Sequence, residues 1–464
     1  MCPDGLVYNL EVEETNTYLA NGFVVHNCHR AADVARDFFG WKLAEGSIKR
    51  ACSFLRTLDP PLVEATVRAG SWFFSQMKAL RYDRDRYKAR VVPDKLSRDD
   101  VAAAQGLLDQ LGQVRARIAQ ECVGLEALGA RDQLAAAELA QDKVQRLLGS
   151  VSSVLEGGGD NEVIFLEEDE FRKVSVVCRL VRPAQVLREG LFGKTVLRDG
   201  PADGDEPTVL PVSVIGTSAT VTTESSFRFA QEELGVTDCE TLVVDSPFDF
   251  ERQALLIIPD GICEPNDLRF TEEVAALFLR TIELARGRTL GLFTSRKRMN
   301  EVFDAVIGRT PFRILRQDDG QRTAIVEEFR RDRHSVLLGV ASFWAGVDVP
   351  GDSLSCVFID KLPFPPPDDP VLDRLSETDK RAWAAYAVPR AIIEFKQGFG
   401  RLIRSTTDHG VVVCCDGRLI TKGYGKQFLR AMPKAMQKIR NLDAIREWLD
   451  GPISAPEEVV DPLS

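Results

Sequence analysis

The chain has 464 residues, 59 basic against 70 acidic for a net charge of −11, and 44% of its residues are hydrophobic. That length allows roughly three domains of about 150 residues each, and the apolar content supplies ordinary cores and excludes wholesale disorder. No run of about 18 apolar residues occurs, which excludes a helical membrane span. A basic excess is missing, yet nucleic acid stays open as a partner, because local Lys and Arg clusters govern that binding.

Ten cysteines are scattered, at Cys2, Cys28, Cys52, Cys122, Cys178, Cys239, Cys263, Cys356, Cys414 and Cys415, beside four histidines. No CxxC pair occurs, so a protein-only zinc site is not expected and no metal ligand is assigned. Scattered thiols without a signal peptide fit a reducing cytoplasm.

Residues 1–27 are expected to form short strands. Tyr8, Leu10 and Val12 alternate at period two, and Asn21-Gly22 is a two-residue turn signal followed by Phe23-Val24-Val25. Helical character begins around Ala31 to Phe39. Further on, Ser97 before Arg98-Asp99-Asp100 has the form of a helix N-cap with acidic first-turn residues. Leu107, Leu111, Val114, Ile118, Cys122 and Leu125 then recur at spacings of three and four. Val144, Leu147, Val151 and Val154 mark a second helix, closed by Gly157-Gly158-Gly159. The pattern predicts a long helical hairpin, packed within the chain or paired as a dimerising coiled coil.

From residue 162 the pattern turns α/β. Val212 to Ile215, Leu290 to Phe293, Val336 to Val340, Cys356 to Ile359 and Val411 to Cys415 are short apolar runs. Helical stretches such as Glu272 to Ala285 and Gln321 to Arg330 separate them, which predicts a parallel sheet with flanking helices. Asp199 to Pro207 reads as an exposed loop and the acidic, Pro-rich tail from Pro452 as loose chain.

Two constellations carry chemistry. In Gly22-Phe23-Val24-Val25-His26-Asn27-Cys28, the Asn27 side-chain amide can attack its own main-chain carbonyl and cut the chain. His26 can give a proton to the departing amide, and Cys28 offers a thiol that can hold an acyl chain beforehand. The second constellation lies at the ends of predicted strands. Ser218-Ala219-Thr220 is a small-hydroxyl triplet able to relay movement through hydrogen bonds. The hydroxyls of Thr294 and Ser295 suit phosphate contact, though a capped turn into the helix near Met299 fits them equally. Gly346, within Ser342 to Asp352, lets a backbone approach a ligand. In Gln397-Gly398-Phe399-Gly400-Arg401-Leu402-Ile403-Arg404-Ser405, Arg401 and Arg404 are predicted to share a helix face. Two guanidiniums aimed at a γ-phosphate stabilise the charge of its transfer, with Gln397 one turn earlier in hydrogen-bond reach.

Together with Val7 to Val12 and Tyr18 to Gly22, the first constellation resembles the two C-terminal splicing blocks of inteins; Asn16 stands where inteins often carry histidine. No N-terminal intein half is present in the sequence, so joining is expected in trans if at all. Residues 28 to about 445 resemble the C-terminal portion of DinG/XPD-like superfamily two ATP-dependent DNA helicases. Cys28-His29 would complete an Asp-Glu-Cys-His metal motif behind an upstream half ending in Asp-Glu. Ser218-Ala219-Thr220, Thr294-Ser295, Gly346 with Asp348, and Gln397 with Arg401 and Arg404 fall in the order of the third to sixth helicase motifs. Ala345 stands where the family commonly has Glu. Ser246 to Asp249 and Asp360-Lys361-Leu362-Pro363-Phe364-Pro365 are also typical of DinG-like members.

The resemblance implies an α/β chain with two RecA-like helicase domains, one incomplete and one complete, a helical arch-like insertion, and a short β intein remnant. Residues 1–27 would be the intein segment, 28–60 with 165–240 the rest of the first RecA-like domain, and 61–164 the arch-like insertion. Residues 241–450 would be the second RecA-like domain and 451–464 the tail. It further implies ATP and Mg²⁺ held mainly by the upstream half, any iron–sulfur cluster upstream as well, and single-stranded or forked DNA as partner. No Gly-x-x-x-x-Gly-Lys-[Ser/Thr] phosphate loop occurs, so the chain alone is expected to be inactive. The alternative is a truncated nucleic-acid-binding fragment that at most cleaves itself after Asn27.

Overall fold

A computed structural model describes residues 17–20, 23–27, 31–82, 88–169, 171–192, 195–198, 208–211, 215–218, 220–224, 226–340, 343, 349, 351, 353–433 and 437–451. Tyr8, Leu10, Val12, Asn16, Asn21, Gly22, Cys28, His29, Ala219, Ala345, Gly346, Asp348, the 199–207 loop and the tail from Pro452 lie outside the described residues.

Strands β1 (Thr17–Ala20) and β2 (Phe23–Asn27) pair antiparallel with Ala20 opposite Phe23, as the two-residue turn signal between them predicts. Helix α1 (Ala31–Phe38) follows, then β3 (Trp41–Ala44), α2 (Glu45–Ala51), α3 (Pro60–Tyr82) and β4 (Lys88–Arg90).

The predicted hairpin is α4 (Arg98–Ala127) and α5 (Arg131–Glu156). Ser97 caps α4: its hydroxyl accepts from the Asp100 amide while the Asp100 carboxylate accepts from the Ser97 amide, so two otherwise orphaned donors are satisfied. Leu107, Leu111, Val114 and Ile118 face Val144, Leu147, Val151 and Val154 in one core; Cys122 and Leu125, nearer the tip, are only half-buried against it. Gly157 ends α5 with φ 90°, a left-handed cap that glycine alone adopts freely. That core continues into an antiparallel sheet, β3-β6-β5-β4, built with β5 (Glu162–Glu168) and β6 (Val174–Leu180).

Helix α6 (Ala184–Leu187), the β7 (Thr195–Arg198) and β8 (Thr208–Pro211) ribbon, β9 (Ile215–Thr217) and α7 (Arg228–Leu234) complete the first lobe. The strand predicted from Val212 is described only from Ile215, and it runs through Gly216 to Thr217. It pairs parallel with β2.

The second lobe is a seven-stranded sheet in the order β12-β13-β11-β14-β15-β10-β16, every pair parallel. Its elements run α8 (Phe250–Gln253), β10 (Ala254–Ile257), α9 (Phe270–Leu284), β11 (Thr289–Leu292), α10 (Arg296–Val306) and β12 (Ile314–Arg316). They continue α11 (Arg322–Arg331), β13 (Val336–Gly339), β14 (Cys356–Ile359), α12 (Pro370–Thr378) and α13 (Val388–Phe399). The last are β15 (Gly410–Cys414), α14 (Arg418–Thr421), α15 (Gly425–Ala431), β16 (Gln437–Ile439) and α16 (Ala444–Asp450). Strand residues alternate between two cores. Leu256, Leu290, Val357, Ile359 and Val412 meet α11, α13 and α15 on one face. Ile257, Leu338, Phe358 and Val413 meet α9, α10 and α16 on the other. Burial on both faces explains why these strands read as continuous apolar runs.

Candidate active site

Parallel strands deliver their C-terminal ends to one rim, and the candidate residues of the second lobe collect there. Thr294 and Ser295 follow β11. Ser295 caps α10, its hydroxyl accepting from the Arg298 amide, so the capped-turn reading of these residues holds. Thr294 is held by Asp360 at the end of neighbouring β14: its amide donates to Oδ1 and its hydroxyl to Oδ2, both at 3.0 Å. Arg298 lies 3.5 Å from the same carboxylate. Asp360 is fully buried, and burial pushes its carboxyl up to about 6 against the pull of Lys361 and Arg298. At the end of β15, buried Asp416 accepts from the Leu362 amide at 2.9 Å and takes a two-point contact from Arg418.

Gln397 sits in the last turn of α13 and donates from Nε2 to Thr220 Oγ1 of the first lobe at 3.4 Å. Beside it, Lys396 Nζ donates to the Thr222 carbonyl at 2.9 Å; burial lowers the pKa of this ammonium. Ser218 turns back on its own segment, accepting from the Thr220 amide at 3.2 Å. The segments predicted as the third and sixth motifs therefore touch.

Arg401 and Arg404 do not share a helix face. Helix α13 stops at Phe399, with Gly400 as its cap, and both arginines lie in the turns that follow. Two glycines, Gly398 and Gly400, weaken helix propensity here, and the chain tightens through Arg401 N–Gly398 O and Leu402 N–Phe399 O bonds. The turn is fixed from elsewhere. Asp408 Oδ2 accepts from the Arg404 and Ser405 amides at 2.6 and 2.8 Å. Gln253, 3% exposed, donates Nε2 to the carbonyls of Ser405 and Asp408 at 2.9 and 2.8 Å.

One further network, absent from the sequence motifs, joins the lobes. Asp33 of α1 accepts from Arg390 of α13 at two points, 2.7 and 3.0 Å, and from Arg36 at 3.2 Å. Arg36 also pairs with Glu233 of α7, and both guanidiniums lie over the Tyr386 ring, at 5.3 and 5.8 Å from its centroid. Burial opposes the charge on Arg390, but Tyr386 and Asp33 outweigh it and raise its pKa well above the ordinary value. Partners this far apart in sequence leave no local pattern; the only hint is polar side chains on otherwise apolar helices.

With this geometry in place, comparison with known proteins shows what the chain is similar to. Residues 278–435 match the family described as Helicase C-terminal domain. The chain is 36% identical over 239 residues to the ATP-dependent DNA helicase YoaA of Haemophilus influenzae, covering 51% of this chain and 37% of that protein. It is 33% identical over 319 residues to the ATP-dependent helicase DinG of Mycobacterium tuberculosis, covering 66% and 45%. It thus spans less than half the length of either relative. In fold it is similar to S. tokodaii Xpd4, with a TM-score of 0.55 at 14% identity, over 89% of this chain and 75% of that one. By sequence the chain is homologous to helicases of the DinG/YoaA type, and its parallel sheet and XPD-like neighbours fit RecA-like helicase domains. No helix among the described residues is long and apolar enough to cross a membrane.

Proposed function

We propose that this chain is the C-terminal part of an ATP-dependent DNA helicase that couples ATP hydrolysis to movement on single-stranded DNA. The observation that carries the reading is the Gln397–Thr220 contact, which brings the third-motif and sixth-motif segments of the two lobes together. ATP, as substrate, lies between the lobes with Arg401 and Arg404 directed at its γ-phosphate, where guanidiniums offset the charge of transfer. The Asp408–Gln253 brace holds their turn. Thr294, Ser295, Gly346 and the Ser218–Thr220 segment contact the DNA backbone and couple it to the nucleotide, and Asp348 senses the nucleotide or positions a catalytic arginine. Residues 61–164 form the arch-like insertion over the DNA path. Magnesium would travel with ATP and be held mainly by the upstream half; among the described residues of this chain no group of three His, Cys, Asp or Glu could hold a metal ion, and no step is derived through it.

Residues 1–27 act as the end of an intein. The Asn27 side-chain nitrogen attacks its own main-chain carbonyl carbon, and the Asn27–Cys28 peptide bond breaks. His26 protonates the departing amine, and Asn27 is left as a C-terminal succinimide. Before this cut the Cys28 thiol takes the acyl group of an upstream half that carries the phosphate loop and ends in Asp-Glu, displacing that half's own intein segment and holding it as a thioester. Once the cut frees the Cys28 amine, the acyl group shifts from sulfur to nitrogen, the thiol is released and a peptide bond joins the halves. The test combines fluorescence anisotropy on a labelled oligothymidylate with mass spectrometry. Salt-sensitive binding weakened by Thr294→Ala, and loss of the first 27 residues blocked in Asn27→Ala, are the results expected. Absence of DNA binding overturns the helicase reading, and loss of the leader from Asn27→Ala overturns the splicing reading.

A further inference from the structure

Strand β2 does not end in free space. It runs parallel to β9, with Val25 opposite Ile215, His26 opposite Gly216 and Asn27 opposite Thr217. A parallel pair cannot arise from a tight turn, so this pairing is a tertiary contact between segments far apart in the chain. The next residue after β9 is Ser218, and Thr220 carries the contact to Gln397. The leader strand therefore lies on the edge that leads into the coupling segment.

The chain dictates why. Residues 28–30 alone separate Asn27 from α1, and four Cα steps reach about 15 Å at most. Helix α1 is itself fixed: Ala31 and Ala35 are buried with Leu187 and Leu234, and Asp33 is gripped by Arg390. Whatever residues stand ahead of Cys28 are delivered by this short tether to the same place beside β9, regardless of their identity.

We infer that the β9 edge is a docking edge for the strand that immediately precedes Cys28, filled by Phe23–Asn27 in this chain and by the last residues of the upstream half once the two are joined. This rests on the joining at Cys28 proposed above. The two strands exclude one another, so the leader is a placeholder. It completes the first-lobe edge before joining and puts His26 and Asn27 where the upstream half must later bring its own residues. A precursor that retains the leader is consequently unable to present the upstream residues next to Thr217.

Amide hydrogen exchange on the full chain tests this, in an Asn27→Ala background so that the leader stays attached. In the parent, those amides of residues 215–217 that point at β2 are protected. Val25→Pro with His26→Pro removes the donors of β2, and exchange at 215–217 is expected to rise at least tenfold while 289–292 in the second lobe is unchanged. Thr217→Pro, the reciprocal change, is expected to release residues 24–27. Thr17→Pro, on the far edge of β1, leaves 215–217 protected. Unchanged exchange in both the β2 and the Thr217 variants overturns the docking edge. If docking is seen but the chain with native Asn27 neither sheds its leader nor joins a partner, the edge stands and the splicing reading falls.

Discussion

Asp33 sits between two arginines, Arg390 from the other lobe and Arg36 from its own helix, so removing its carboxylate should loosen the junction of the lobes. Two unit charges about 4 Å apart attract by roughly 4 kcal/mol at an effective dielectric of about 20. The Asp33 and Arg390 side chains are 36% and 34% exposed, so desolvation and screening cancel much of this and leave about 1–2 kcal/mol for the pair. Arg36, whose side chain is 4% exposed, also loses one of its two carboxylates, for about 1 kcal/mol more. Asp33→Ala is therefore expected to lower the opening free energy of α1, read by native-state hydrogen exchange, by about 2–3 kcal/mol in all. A double-mutant cycle with Arg390→Ala isolates the interlobe pair, with an expected coupling of about 1–2 kcal/mol. Arg390→Lys keeps the charge but loses the two-point geometry and should fall between. A coupling below about 0.3 kcal/mol would refute the claim that this pair joins the lobes.

Three other perturbations follow from the same structure. Gln253→Ala strips the donors from two carbonyls of the turn that carries Arg401 and Arg404; a loss of about 2 kcal/mol in urea unfolding, with faster exchange at residues 401–405, is expected, and unchanged exchange there would contradict the brace. Asp360 has its carboxyl raised to about 6 by burial, so the native state holds its proton more tightly than the unfolded chain. Its contribution to stability is complete below pH about 4 and is lost as pH rises through 6, amounting to about 3 kcal/mol. Asp360→Asn should abolish that dependence, and stability curves of the two proteins that stay parallel from pH 4 to 7 would exclude it. Ser97→Ala removes the hydroxyl half of the cap on α4 and leaves the Asp100 carboxylate its bond from the residue-97 amide; it should cost about 1 kcal/mol in thermal unfolding, and no change would mean that the hairpin end is held by packing and the remaining Asp100 bond.

Elements with a local cause were legible in the sequence. Cys356–Ile359 was bounded as found, the neighbouring strands to within a residue, because each is an apolar run buried on both faces. The hairpin followed from its three-and-four spacing and from the chemistry of Ser97 and Gly157. The antiparallel sheet of β3 to β6 was not legible: Trp41–Ala44 is too short to show a period, and its partner Val174–Leu180 lies beyond the whole hairpin. The helical placement of Arg401 and Arg404 failed because spacing alone ignored the glycines at 398 and 400. Asp33, Arg390 and Gln253 were missed for the reason that β3 was, since their meaning lies in distant partners. Asp360 stood in a quoted run, but its bonds to Thr294 needed adjacency of β11 and β14 to be seen.

The measurement that bears most directly on the central claim is ATP hydrolysis by the purified chain in the presence of single-stranded DNA, alone and after joining at Cys28 to an upstream half bearing the phosphate loop. No turnover by the chain alone, and DNA-stimulated turnover by the joined protein that Arg401→Ala abolishes, is the result predicted. DNA-stimulated hydrolysis by the chain alone, lost in Arg401→Ala, would contradict it and show that these 464 residues hold a complete nucleotide site.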